Sequence, residues 1–247
     1  MMIIASNWKM NLDRLSAEQL LAEMGSCPVS DKVSRIVFPS FTLIDLARTT
    51  RDHIGQTVHI TLGGQDCHDA ASGAHTGDVS AAMLVEAGCQ WVLVGHSERR
   101  QNHMEHSEKV AAKTKAAQAE GLSVMLCVGE NLEERESGKA EATVTAMLAA
   151  SLPQQVDADK LAIAYEPLWA IGTGMTATPS DVVAMHQAIH NYLKDLGLKD
   201  VPVLYGGSVN PDNASALLAL EQVDGVLVGG ASLDADSINA ITLAAEN

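Results

Sequence analysis

Eight short apolar segments alternate with segments of helical spacing along this chain, and that repeat limits the possible folds more than any other feature. The predicted strands are Ile3–Ala5, Arg35–Phe38, Val58–Leu62, Trp91–Val94, Ser123–Cys127, Leu161–Tyr165, Val201–Tyr205 and Gly225–Val228. Strands that alternate with helices indicate a parallel sheet. Eight units of about 30 residues match a (β/α)8 barrel, which typically has about 250 residues. No linker divides the 247 residues, so we predict an α/β fold with a single barrel domain over 1–247.

Three segments carry start signals for the helices between these strands. Ser16-Ala17-Glu18-Gln19 has the form of a capping box. Thr178-Pro179-Ser180-Asp181 places a cap, a first-turn proline and an acid in order, and Asn210-Pro211 repeats the cap and proline. We therefore predict helix starts at Ser16, Thr178 and Asn210.

The acidic balance of the chain argues against two classes of partner. The formal net charge is -15 and the pI is near 4.8. Because the sequence has no basic run, we expect neither nucleic acid nor an anionic membrane surface as a partner. An anionic small molecule is still possible, provided that a local group of cations and backbone amides binds it.

The cysteines and the N-terminal segment favour a reduced, soluble protein. The four cysteines form no CxxC pair, so a disulfide framework or zinc ribbon is not expected. The N-terminal segment MMIIASNWKMN lacks the parts of a signal peptide, and no apolar stretch is long enough for a membrane span. We expect a cytoplasmic location.

The candidate catalytic and binding residues all follow predicted strands. They are Asn7, Lys9, Gln65, His96, Glu166, the turn Gly206-Gly207-Ser208 and the pair Gly229-Gly230. In a barrel the loops after the strands meet at one mouth, where enzymes of this architecture place their active sites. The sequence therefore predicts one site built from these residues.

Glu166 is the strongest candidate for acid–base chemistry. It ends the sixth predicted strand and precedes Pro167, which restricts its backbone to extended geometry. The following segment, 169–174, is apolar and then glycine-rich, as a mobile lid would be. A lone carboxylate beside a lid that excludes water suggests proton transfer at carbon. Taken alone, the stretch fits an ordinary exposed glutamate equally well.

Lys9 and His96 could stabilise negative charge on a substrate. Lys9 could stabilise an anionic transition state, although a lysine at a strand end is more often a surface charge. His96 opens a short polar segment after a strand, and a helix N-terminus there would disfavour its protonation. A neutral imidazole could donate a hydrogen bond to a substrate oxygen. The alternative is a histidine that only caps the turn.

Two glycine-rich turns suggest a phosphate site. Gly206-Gly207-Ser208 and Gly229-Gly230 follow the seventh and eighth strands, where barrels often hold phosphate through backbone N–H groups. Neither turn has the GxGxxG pattern, so a dinucleotide is not indicated.

Other constellations do not support a site. His186 and His190 lie four apart, but Gln187 replaces the glutamate of the zinc-protease motif, so we expect a surface pair on an outer helix. His103 and His106 lack a third ligand and are expected to be exposed. We predict no metal site. Ser97 and Ser208 lack the GxSxG elbow of serine hydrolases.

Seven segments together resemble the triosephosphate isomerase family. They are NWKMN (7–11), GAHTGDVS (73–80), VGHSERR (94–100), CVGE (127–130), YEPLWAIGTG (165–174), YGGSV (205–209) and DGVLVGGASL (224–233). The segments occur in the family's order and span nearly the whole chain. The resemblance implies a TIM barrel, a role in glycolysis and gluconeogenesis, and interconversion of dihydroxyacetone phosphate and D-glyceraldehyde 3-phosphate without a metal or organic cofactor.

The resemblance also implies a role for each matching residue. Glu166 resembles the catalytic base, His96 the neutral electrophile, and Lys9 the electrostatic stabiliser. Asn7 resembles a residue that holds both Lys9 and the substrate. The phosphate grip that the family implies is formed by Gly172, Ser208, Gly229 and Gly230, and residues 167–176 resemble the closing lid.

The family is usually dimeric, which implies a homodimer through the loop at 73–79. His75 stands where an aromatic residue is more usual, and Asp78 stands where glutamate is common. Leu168 and Met175 depart from the usual lid hinges. Two alternatives stay open at this point: an isomerase of another small sugar phosphate, and a non-catalytic phosphate-binding barrel.

Overall fold

The eight strands close into one parallel barrel in the computed structural model, which describes residues 1–55, 59–171 and 175–246. The strands are β1 (Met2–Asn7), β2 (Val33–Phe38), β3 (Ile60–Gly64), β4 (Trp91–Val94), β5 (Ser123–Val128), β6 (Leu161–Tyr165), β7 (Val203–Tyr205) and β8 (Gly225–Val228). Each strand pairs in parallel with the next, and β1 pairs with β8 to close the ring. The prediction of a single (β/α)8 barrel is confirmed.

The α-helices form the layer around the barrel. Those in the described segments are α1 (Arg14–Gly25), α2 (Ile44–Ile54), α3 (Ala81–Glu86), α4 (Ser97–Asn102), α5 (Ser107–Ala119), α6 (Leu132–Glu136), α7 (Ala140–Ser151), α8 (Pro179–Asp195), α9 (Pro211–Leu218) and α10 (Ala235–Ala244). Within the described residues, none of these helices is both long and apolar enough to cross a bilayer.

Two of the three predicted helix starts are confirmed. Thr178 and Asn210 each cap a helix through a reciprocal capping box, with proline at the first helical position. The start predicted at Ser16 is wrong. Asp13 caps α1 instead, because its carboxylate accepts the N–H of Ser16 at 2.9 Å and the helix begins at Arg14.

The third strand lies further along the chain than predicted. It was expected over Val58–Leu62 but continues through Gly63 and Gly64, and Val58 is outside the described residues. A Cβ at Gly63 would come within 2.4 Å of the Phe38 ring, and one at Gly64 would come within 2.6 Å of a methyl of Leu84. These two glycines therefore let neighbouring side chains pack against the strand rather than ending it.

Alternate strand residues fill two hydrophobic layers. Ile3 and Ala5 point into the barrel, whereas Ile4 packs against the surrounding helices. The interior layer consists of Ile3, Ala5, Ile36, Phe38, Leu93, Met125, Cys127, Ala162, Ala164, Leu204 and Leu227. Because both faces of the strands are buried, the strands read as apolar runs in the sequence.

Candidate active site

The carboxyl ends of the strands surround a cavity of about 370 Å³. The structure brings into its lining most of the described residues that were predicted for the site: Asn7, Lys9, His96, Glu166, Gly206, Gly207, Ser208, Gly229 and Gly230. Gln65 does not line this cavity and lines a neighbouring one instead. Gly172, the remaining candidate, lies outside the described residues. Lys9 is the only lysine or arginine among the described lining residues, so positive side-chain charge in the cavity comes from one position.

The carboxylate of Glu166 is buried and hydrogen bonded. The residue is only 3% exposed, so the alternative of an ordinary exposed glutamate is wrong. Its Oε2 accepts the backbone N–H of Ser97 at 2.9 Å, and its Oε1 accepts the Ser97 hydroxyl at 3.2 Å. The Nε2 of His96 lies 3.0 Å from the same Oε1. Ser97 therefore holds Glu166 together with His96, a role that no local sequence pattern indicates.

These contacts control the ionisation of Glu166. Burial alone raises the pKa of a carboxyl group, because the charged form loses its hydration. The opposing effects of His96, the Ser97 N–H and Lys9 are larger, so the pKa of Glu166 lies below its ordinary value. The group is therefore a carboxylate near neutral pH.

His96 is the N-cap of helix α4, as the sequence suggests. Its Nδ1 accepts the N–H of Glu98 at 3.3 Å, which requires an unprotonated Nδ1 and leaves the proton on Nε2. Burial disfavours the imidazolium, but the adjacent carboxylates of Glu166 and Glu98 raise the pKa of His96 above its ordinary value. The expectation that the helix terminus lowers this pKa does not hold while Glu166 is in contact.

Lys9 has an unusual backbone conformation that its neighbours hold in place. Its φ is +53°, in the left-handed region that residues other than glycine rarely adopt. The Oδ1 of Asn7 accepts the Lys9 N–H at 3.0 Å, and the Nε2 of Gln65 donates to the Lys9 carbonyl at 2.8 Å. The ammonium lies 2.6 Å from a carboxylate oxygen of Glu98. Asn7 and Gln65 thus aim the Lys9 side chain at the cavity.

Glycines around Glu166 allow close approach of three strand ends. A Cβ on Gly129 would come within 1.8 Å of the Glu166 carbonyl oxygen. One on Gly206 would come within 3.1 Å of both the Glu166 Cγ and the Tyr165 carbonyl oxygen. Larger residues at either position would move the backbone or side chain of Glu166.

The two predicted phosphate turns lie side by side in the cavity. The Ser208 hydroxyl donates to the carbonyl of Ala170 at 2.9 Å, and Asn213 donates its side-chain N–H to the Ser208 carbonyl at 3.0 Å. Gly230 begins a short 3-10 helix, and a Cβ there would meet no atom of the described residues within 4 Å. Among the described residues, the space beside Gly230 is therefore open, whereas a Cβ at Gly229 would contact the Lys9 side chain at 3.4 Å.

Comparison with known proteins adds a decisive observation to this geometry. A family model described as triosephosphate isomerase matches residues 2–245. The chain belongs to the triosephosphate isomerase family. Proteins named triosephosphate isomerase are 47% identical in Xanthobacter flavus, over 98% of this chain and 96% of that protein, and 45% identical in Caulobacter vibrioides, over 97% and 94%. The crystal structure of triosephosphate isomerase from Bartonella henselae superposes with a TM-score of 0.89 at 39% identity, covering 100% of this chain and 99% of that chain.

In this triosephosphate isomerase family member, the segment that resembles the lid starts next to the buried carboxylate of Glu130. The indole N–H of Trp169 donates to Oε1 of Glu130 at 2.8 Å, and the hydroxyl of Tyr165 donates to the same oxygen at 3.0 Å. Arg135 stacks over the Trp169 ring, 4.6 Å from its centroid. Glu130 is fully buried. The sequence marks it only as part of the CVGE segment, and its contacts with Tyr165 and Trp169 depend on the way the fold brings these segments together.

The histidine pair on helix α8 differs from its sequence interpretation. His186 is buried, so the prediction of a surface pair is wrong for this residue. Its Nδ1 lies 2.8 Å from the carbonyl of Gln222, and its ring packs edge-on against Tyr165. Burial lowers the pKa of His186 to about 4. His186 is therefore a neutral core residue behind the strand that carries Glu166. His103 and His106 are exposed, as predicted.

Proposed function

We propose that this chain interconverts dihydroxyacetone phosphate and D-glyceraldehyde 3-phosphate by proton transfer through an enediolate. As a triosephosphate isomerase family member it is an aldose–ketose isomerase. The observation that carries the proposed mechanism is the convergence of Glu166, His96 and Lys9 on one cavity. A carboxylate base, a neutral donor and a fixed cation are what the movement of a proton next to a carbonyl requires.

Glu166 acts as the base in this proposal. Its low pKa makes it ionised before the substrate binds. To reach a substrate carbon, the carboxylate must give up its contacts with Ser97. Once those contacts are lost, burial disfavours the charged form and raises the basicity of the group. The movement that delivers the base therefore also makes it a stronger base.

His96 and Lys9 stabilise the negative charge that develops on the substrate oxygens. When Glu166 turns away from His96, the Nε2–H of the neutral imidazole becomes free to donate to the substrate carbonyl. The larger of the two carboxylate effects that raise the His96 pKa is then removed, and only that of Glu98 remains. Lys9 supplies a full positive charge, while Asn7 holds the Lys9 backbone and the substrate. Each oxyanion donor of this kind contributes about 3 kcal/mol to the transition state.

Backbone amides and one hydroxyl bind the phosphate in this proposal. Ser208, Gly229 and Gly230 line one side of the cavity, and Gly172 would contribute from the lid. Such a local group of N–H donors explains how a chain with a net charge of -15 could bind an anion. Closure of residues 167–176 would exclude water and protect the enediolate from loss of its phosphate.

A homodimer is proposed from the surface beside the site. A second cavity of about 320 Å³ lies on the other side of Lys9, next to Met10, which is 96% exposed. The loop at 73–79 is also almost entirely exposed. We propose that this loop of a second copy enters the cavity beside Lys9. A cytoplasmic location and a place in glycolysis and gluconeogenesis belong to the same proposal. Sedimentation at several protein concentrations would detect the dimer.

The deciding experiment is a coupled assay of glyceraldehyde 3-phosphate isomerisation with Glu166→Gln and the exposed control Glu120→Gln. We expect rapid turnover by the wild type and the control, and loss of most turnover in Glu166→Gln with its fold retained. Wild-type rates in Glu166→Gln would remove Glu166 as the base. Binding of triose phosphate without any wild-type turnover would favour the non-catalytic barrel, and turnover of only another sugar phosphate would favour the other isomerase.

A further inference from the structure

Three helices in the described segments begin with a reciprocal capping box, and the one beside the Ser208 turn differs from the other two. In each box, the third residue of the helix accepts the backbone N–H of the cap residue. Glu134 accepts it in α6 at 2.8 Å, and Asp181 accepts it in α8 at 3.0 Å. In α9 the acceptor is the side-chain amide of Asn213, which accepts the Asn210 N–H at 2.9 Å. The use of an amide instead of a carboxylate needs its own explanation.

Helix stability alone favours a carboxylate at this position. The N-terminus of a helix carries partial positive charge, which an acidic side chain in the first turn stabilises. An amide oxygen accepts the same hydrogen bond without that benefit. Asp212 shows that the first turn of α9 accommodates negative charge, although its side chain is exposed and is not among the described residues that line the cavity. The amide of Asn213 therefore supplies something that a carboxylate lacks, namely an N–H donor.

The N–H donor of Asn213 binds the turn that follows β7. Its Nδ2 donates to the Ser208 carbonyl at 3.0 Å, while its Oδ1 accepts the Asn210 N–H. One side chain thus binds the main chain on both sides of the buried Val209. Because a peptide group is planar, fixing the Ser208 carbonyl also fixes the peptide that links Ser208 to Val209. A carboxylate at position 213 would place an acceptor against the Ser208 carbonyl oxygen, so it could not hold this peptide.

We propose that Asn213 is a positioning residue that holds Ser208 in the orientation that binds a phosphate group. This inference rests on the phosphate role proposed above for the Ser208 turn. Ser208 and Asn210 line the cavity, whereas Asn213 is not among the described lining residues, so Asn213 acts through the main chain of the turn.

The bond from Asn213 uses a different group of Ser208 from the one that contacts the lid segment. Asn213 binds the Ser208 carbonyl, whereas the Ser208 hydroxyl donates to the Ala170 carbonyl. The main chain of the turn can therefore keep its shape while the hydroxyl changes its acceptor. Without the Asn213 donor, the Ser208 main chain and hydroxyl would both be free to move, and the anion would have to order them when it binds.

Substitutions of Asn213 separate this role from helix capping. Asn213→Asp keeps an acceptor for the Asn210 N–H but loses the donor to Ser208. Its Tm should equal or exceed that of the wild type, because an acid suits the helix N-terminus. Asn213→Ala removes the donor without adding a charge. The matched control Ser215→Asp adds one negative charge at an exposed position of the same helix.

Calorimetric titration of each protein with inorganic phosphate is the direct test. Both Asn213 variants should bind phosphate about tenfold more weakly than the wild type, and Ser215→Asp should bind it as the wild type does. The kcat/KM for D-glyceraldehyde 3-phosphate should fall by about the same factor in both Asn213 variants. The kcat/KM for D-glyceraldehyde, which has no phosphate group, should stay within about twofold of the wild-type value. A residue that only supported the fold would lower both.

An unchanged phosphate affinity in either Asn213 variant would overturn the proposal, and so would the absence of phosphate binding by the wild type. Equal losses of kcat/KM for the aldehyde with and without its phosphate group would show a general structural role and would overturn it as well. A wild type that binds phosphate but isomerises no triose phosphate would refute the proposed function instead. The phosphate titrations alone would then decide the role of Asn213.

Discussion

The strained backbone at Lys9 allows the catalytic role proposed for its charge to be separated from its contribution to stability. Replacing Lys9 by alanine or by glycine removes the same ammonium group. Only glycine adopts a φ of +53° without steric cost. The two variants should therefore have equally poor activity but different stability, and each serves as the matched control for the other.

The magnitudes follow from the contacts of Lys9. Loss of one charge that stabilises the transition state costs about 3 kcal/mol, which corresponds to about a 10²-fold fall in kcat/KM. The ion pair with Glu98 is partly exposed on both sides, with side-chain exposures of 28% and 49%, so its loss costs at most about 1 kcal/mol of folding free energy. Relief of left-handed strain gains about 1–2 kcal/mol, and the greater freedom of glycine in the unfolded chain offsets about half of that.

We therefore expect Lys9→Gly to be about 1 kcal/mol more stable than Lys9→Ala, which corresponds to a Tm about 3 °C higher. Thermal unfolding followed by circular dichroism, at matched protein concentrations, measures the difference. The coupled isomerase assay measures kcat/KM for both variants. Equal Tm values would show that the Lys9 conformation stores no strain. An unchanged kcat/KM in either variant would remove Lys9 from the site.

Three further perturbations probe the surroundings of Glu166. Gly129→Ala places a methyl group against the Glu166 carbonyl and should lower the free energy of unfolding by about 3 kcal/mol; an unchanged midpoint in urea would contradict this. Ser97→Ala keeps the backbone N–H bond to Glu166 but loses the hydroxyl bond, so the pH profile of kcat/KM should show a higher acidic pKa, and an identical profile would refute the effect. The pKa of His186 is about 4 in the folded protein, compared with an ordinary value of 6.5. As the pH falls, this histidine is therefore protonated in the unfolded chain before it is protonated in the folded one. Stability should fall by about 3 kcal/mol as the pH drops from 7 to 4, and that fall should be smaller in His186→Gln; equal falls in the two proteins would contradict it.

The barrel could be predicted because its strands are buried on both faces and so appear as separate apolar runs. The bounds of Trp91–Val94, Leu161–Tyr165 and Gly225–Val228 are confirmed as predicted. β7 begins at Val203 rather than Val201, and Pro202 between them has no N–H for the strand ladder.

The errors arise where contacts between distant residues override a local pattern. Gly63 continues β3 because the Phe38 ring occupies the space of its missing side chain, and nothing within the segment shows this. The α1 start moves to Asp13 because a carboxylate at that position already satisfies the N–H of Ser16. In both cases the local pattern was present, but a contact with another residue, Phe38 for β3 and Asp13 for α1, decided where the element lies.

The members of the site were predictable, but their arrangement was not. Asn7, Lys9, His96 and Glu166 could be chosen because they follow strands, and the barrel brings strand ends together. The contact between Glu166 and Ser97 joins residues 69 positions apart. The contact between Glu130 and Trp169 likewise joins residues 39 positions apart. Such contacts emerge only when the strands are placed side by side.

The hydrogen bond from Ser208 to Ala170 joins the start of the segment proposed as the lid to the turn proposed to bind phosphate, through one hydroxyl proton. A hydroxyl donates one hydrogen bond, so an anion that takes the Ser208 proton must release the Ala170 carbonyl. The Ser208 hydroxyl therefore exchanges one acceptor, the Ala170 carbonyl, for another, the anion, in a single step. By thermodynamic reciprocity, a substitution that strengthens the Ser208–Ala170 bond weakens the hold of Ser208 on the anion by the same free energy.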